Sequence, residues 1–135
     1  MKVDLEMLDD QIFTILVDFV KTHLLEPELS DDNFSTTKSN PMESELPFVY
    51  LKRINGIEMA DDLEAIDIHG GLYTYEVRVT SNVSQDEVSV IMNEVTKAMK
   101  SMAFVATSLP VYADIDNLHI KVARWQRELD EGDTI

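Results

Sequence analysis

A strand that runs straight into an amphipathic helix constrains this chain more than any other feature. Between residues 72 and 80, Tyr73, Tyr75, Val77 and Val79 alternate with Thr74, Glu76, Arg78 and Thr80. That is the two-residue period of a half-buried strand, built from β-branched and aromatic residues. Four residues later Ser84 offers an N-cap oxygen, with Glu87 placed to complete a capping box. Behind it Val88, Ile91, Met92, Val95, Met99 and Met102 recur every three or four residues, the stripe of a helix. Each element has one apolar face and can bury it only against the other and its neighbours, so the pair anchors the fold.

Residues 4 to 25 predict a first helix, with Leu5, Leu8, Ile12, Leu16, Phe19 and Val20 on one side. Asp4 is a candidate cap, and Pro27 ends the element because a proline disfavours helical backbone just before itself. The polar run from Glu26 to Leu46 predicts a long connection in which Phe34 and Met42 are isolated apolar points. A connection of that length in a small domain is often functional or ordered by a partner, although a plain exposed loop serves equally well. Phe48 to Ile54 reads as a strand, and Asn55-Gly56 favours a tight turn. Ile57 to Gly71 carries Glu58, Asp61, Asp62, Glu64 and Asp67. It reads either as a short helical turn around 60–65 or as a mobile acidic arm. Phe104 to Leu109 predicts a further strand stopped at Pro110, with a turn over 111–117. Leu118 to Leu129 predicts a long last strand, with Ile120 and Val122 on one face and Lys121, Ala123, Trp125 and Arg127 on the other. The last six residues read as a frayed acidic tail. The order helix, strand, strand, helix, strand, strand predicts an α+β, two-layer sandwich. Its antiparallel sheet has about four strands, with two helices packed on one face. At 135 residues the chain is expected to be a single domain.

Charge restricts function more than fold. Twenty-six acidic against eleven basic residues leave a net charge of −15, which repels phosphate backbones and anionic membranes. Cysteine is absent, so disulfides, thiolate metal sites and thiol nucleophiles are excluded. The N-terminal ten residues lack the order of a signal peptide, and no apolar run approaches a bilayer span, which points to a cytosolic setting. No Gly-rich phosphate cradle occurs. His23, His69 and His119 lie too far apart in sequence to suggest a metal set. Asp114 and Asp116 offer two oxygens to a hard divalent ion, but the same pair suits a turn. Asn82-Val83-Ser84 matches a glycosylation acceptor, yet capping is the better use of Ser84. Trp125, flanked by Arg124 and Arg127, has two readings: an interface anchor, since Trp and Arg are enriched at hot spots, or a tryptophan packed over a helix. No nucleophile–base pair is visible, so catalysis and a bound cofactor are not expected.

The segments Leu46-Pro47-Phe48-Val49-Tyr50-Leu51, Tyr73-Thr74-Tyr75-Glu76-Val77-Arg78-Val79, Met99-Lys100-Ser101-Met102-Ala103-Phe104 and Ala123-Arg124-Trp125, in this order, resemble tail terminator (tail completion, head–tail joining) proteins of long-tailed bacteriophages. The family carries glycine where this chain has Ala103. The resemblance implies a structural virion protein of the tail or neck, assembled in the bacterial host cytoplasm. It implies a homo-oligomer, a hexameric ring that caps the tail tube, ends its polymerisation and meets a head-side connector or neck protein, while DNA passes through unbound. Ring subunits meet head to tail. Trp125, Arg124, Arg127, Phe34 and Met42 are then candidate interface residues, and the acidic arm is a candidate bore lining whose neutralisation should alter DNA passage and spare ring formation. A reading in another class is a small acidic adaptor binding a protein partner through the Trp125 face. A third is an enzyme with an oxygen-ligated metal at Asp114 and Asp116.

Overall fold

The computed structural model describes residues 1–59 and 70–135. The chain begins with one 3-10 turn at Leu5–Met7, whose Glu6 N–H donates to the Asp4 carboxylate at 3.1 Å. Helix α1 follows over Leu8–His23 and buries Leu8, Ile12, Leu16 and Val20 of the predicted stripe, while Leu5 falls in the 3-10 turn and Phe19 is half-buried. Helix α2, Gln85–Ser101, buries Val88, Ile91, Met92, Val95, Ala98 and Met99. Burying such a side chain contributes about 1.5–3 kcal/mol, so the two stripes fix which way each helix faces. The Ser84 hydroxyl accepts from the Glu87 N–H at 3.1 Å, but the Glu87 carboxylate accepts from Ser81 Oγ at 2.8 Å. Only half of the expected capping box therefore forms, because a buried hydroxyl at the end of the preceding strand claims the acid.

The sheet has five strands in the order β1-β2-β3-β5-β4: β1 Phe34–Ser35, β2 Phe48–Met59, β3 Gly70–Ser81, β4 Val105–Ile115 and β5 Leu118–Asp130. All pairings are antiparallel except the short β1, which lies parallel to the start of β2. Both helices cover one face, giving the expected two layers with one strand more than predicted. On the covered face the register aligns Leu51, Val77 and Ala123, and beside them Tyr75 and Trp125. These side chains, with the buried faces of α1 and α2, form the core.

Three expectations are corrected. Asn55-Gly56 makes no turn: Asn55 pairs with Thr74 and Gly56 with Tyr73, and the irregularity falls between Arg53 and Asn55 as a bulge. Pro110 does not stop β4, because the ladder is irregular between Ser108 and Val111 and the strand lies at the sheet edge, where a missing N–H is tolerated. The hairpin turns instead at Asp116 and Asn117, with φ of 52° and 65°. The last residues are tied down rather than frayed: Val3 N–H donates to the Asp133 carbonyl at 2.7 Å and Gly132 N–H to the Val3 carbonyl at 2.9 Å. Among the described residues no helix is long and apolar enough to cross a membrane.

Candidate subunit interface

The uncovered face of the sheet is made of the alternate residues of the same strands, and the register sets them in rows. One row runs Tyr50, Arg78, Val122, Val111 and the next runs Lys52, Glu76, Arg124, Ser108. A third, Phe48, Thr80, Ile120 and Ala113, buries Phe48 and Thr80 at one end of the face. Arg124 ion-pairs with Glu76 at 3.3 Å. Arg78 is half-buried, and no carboxylate of the described residues pairs with it. A cation without a counter-charge among the described residues, set among Tyr50, Val122 and Val111, has the composition of an interface centre.

Beside this face, β4 forms the sheet edge. The segment from Ser101 to Ala113 carries no charged side chain, in a chain of net charge −15. Leu109 is 82% exposed and Val111 64% exposed, and Val105 and Ile115 are also open to solvent. Edge strands are ordinarily protected by charges; β4 has a proline and bulges but no charge along most of its length. Next to the hairpin, a cleft of about 340 Å³ is lined by Pro41, Leu46, Asn82, Asp116, Asn117 and Leu118, among others.

The interface residues read from the sequence scatter in this geometry. Trp125 is 1% exposed and lies in the core opposite Tyr75, so it anchors no partner from the surface of the folded chain. Its indole N–H is buried without a hydrogen-bond partner. Phe34 is 6% exposed, because β1 pairs it with Val49 and turns it under the helices. Arg127 Nη1 donates to the Met102 carbonyl at 2.6 Å and to the Thr134 carbonyl at 3.2 Å, so it caps the end of α2 and holds the C-terminal segment. Arg124 and Met42, the latter 59% exposed, remain on the surface. Of the acidic arm, Asp61, Asp62, Glu64 and Asp67 lie outside the described residues, and Glu58 is placed only by its pairing with Gly71. Sequence reasoning missed Arg78 and Tyr50. For Arg78 the signal was available, because it alternates with Val77 and Val79; Tyr50 shares its side of β2 with Phe48 and carried no such signal.

Other polar groups are occupied structurally. The Tyr75 hydroxyl donates to Asp9 Oδ1 at 2.5 Å, and Arg53 Nε lies 3.7 Å from the same oxygen. Burial first, and this hydrogen bond second, push the Tyr75 phenol far above the usual tyrosine range. These groups line a polar cavity of about 250 Å³ with Thr36, Leu51 and Lys52. His23 Nδ1 donates to the Phe19 carbonyl at 2.8 Å, and its ring stacks on the Phe19 ring. His119 bonds the Tyr112 hydroxyl at 2.7 Å. His69 lies outside the described residues. Asp114 pairs across the ladder with His119, and Asp116 forms the turn. Among the described residues no three His, Asp or Glu side chains gather to hold a metal ion. In comparisons with known proteins, no family model and no curated protein matches this chain.

Proposed function

We propose that this chain is a structural subunit of a phage tail or neck, closing with further copies into a ring at the head-proximal end of the tail tube. In that position it ends tube polymerisation, offers its other side to a head-side connector, and lets DNA pass a bore lined by the acidic arm. The observation that carries the reading is β4: a sheet edge without a charge from Val105 to Ala113, with Leu109 and Val111 open to solvent. A chain that repels its own kind nearly everywhere keeps one neutral apolar edge, and that edge is where further copies meet at least cost. The resemblance in element order supports the tail. The adaptor reading loses its anchor, because Trp125 is in the core.

Two measurements test the proposal together. Light scattering over a range of concentrations should find a species near six subunits, formed alone or on tube ends. Added to polymerising tail-tube protein, the chain should shorten the tubes and appear at one end by electron microscopy. Leu109→Asp should abolish both effects while leaving the melting temperature of the monomer unchanged. Tubes of unchanged length and bare ends would remove the tail reading.

A further inference from the structure

The rows around Arg78 form an open surface in a molecule whose other sheet face carries both helices. Half-buried Tyr50 and Val122 flank the guanidinium, exposed Val111 extends the row, and Lys52 and Arg124 stand beside it against the single carboxylate of Glu76. This patch is locally cationic within a strongly acidic chain. Among the described residues no helix or strand lies on it.

A surface of opposite character lies on the far side of the molecule. The solvent side of α1 presents Asp10, Thr14 and Asp18, with half-buried Phe13 and Val17 alongside. Phe13, Thr14, Val17, Asp18 and Asp31 line a groove of about 240 Å³. Asp31 is already paired with Lys21 at 2.7 Å. Asp10 and Asp18 have no ion pair among the described residues. An acidic helix with an apolar stripe complements a sheet face that is open, and whose Arg78 has no ion pair, among the described residues, and the two stand on opposite layers of one chain.

We infer that a second copy of this chain docks the solvent side of its α1 on the open sheet face of the first, with Asp18 meeting Arg78. The inference deepens the ring reading and rests on it for the closure into a ring, though the contact itself is tested independently. The contact is heterologous: each copy gives a helix on one side and a sheet on the other, so it propagates from copy to copy. It turns the two-layer monomer into a helix–sheet–helix stack at every junction. It also concentrates opposite charges where two chains of net charge −15 must meet.

The test uses the full chain and sedimentation across a range of concentrations. Arg78→Glu and Asp18→Arg should each weaken self-association by about tenfold or more, with circular dichroism and melting temperature unchanged, since reversing one member of a desolvated charge pair costs at least that much. Mixing the two variants should restore association, because each then offers the other a matched surface. A folding defect cannot be rescued by mixing. Variants that associate like the wild type, mixing that restores nothing, or a wild type that stays monomeric at every concentration would each overturn the inference. The tail reading is judged separately, by whether tail tubes are capped, so the two can fail apart.

Discussion

At the scale of single residues, Ala103 shows a cost the fold accepts. Its φ is 62°, in the left-handed region that an L side chain with a Cβ adopts reluctantly. The conformation is forced by the way α2 ends. The Phe104 N–H donates to the Met99 carbonyl at 3.0 Å and the Ala103 N–H to the Lys100 carbonyl at 2.9 Å, the two bonds of a Schellman motif. Phe104 is thereby dropped into the core, where its ring meets Tyr75 edge-on with centroids 5.8 Å apart. Ala103→Gly should therefore stabilise the chain by about 0.5–1 kcal/mol, read as a higher urea midpoint at unchanged slope. A lower midpoint would mean that the alanine methyl packs more usefully than its backbone strain costs.

Elements are joined by few polar contacts, and the one between α1 and β3 carries a pH signature. Because the folded pKa of Tyr75 is raised, the folded state keeps its proton where the unfolded chain gives it up. The stability from this neutral buried phenol is complete below about pH 10, the ordinary tyrosine value, and is lost as pH rises above it at up to about 1.4 kcal/mol per pH unit. Tyr75→Phe should lower stability at pH 7 by about 1 kcal/mol through loss of the Asp9 bond, and should flatten the alkaline limb of stability against pH. An unchanged alkaline limb would show that another group controls it. The helices and the long strands were legible in the sequence because one-sided burial writes its period into them. The ends of β2 and β4 were not, since Asn55-Gly56 and Pro110 sit in strands whose bulges absorb residues that usually break them. The two-residue β1 was invisible for a different reason: it depends on the distant start of β2. The candidate site was half legible. Burial of Trp125 and Phe34 is decided by which face turns inward, and that depends on register with other strands rather than on local composition.

The whole molecule is governed by charge. At net −15 the compact state repels itself more than the expanded one does, and salt relieves this. Raising ionic strength from about 0.01 to 0.15 M shortens the screening length from about 30 to 8 Å, which leaves close pairs such as Lys21–Asp31 largely intact. The melting temperature of the dilute monomer should therefore rise over that range. A fall would mean that the few ion pairs outweigh the general repulsion.

The pairing of Lys2 with Thr134 has a mechanical consequence. Both ends of the chain leave from one spot as antiparallel neighbours, with the Met1 carbonyl accepting from the Ile135 N–H at 2.9 Å. Tension applied between the ends loads these bonds one after another, as in opening a zipper. It does not shear the sheet, whose bonds would share the load. The molecule should thus yield first at its ends under small forces, while load entering through β4 and the face around Arg78 bypasses that seam.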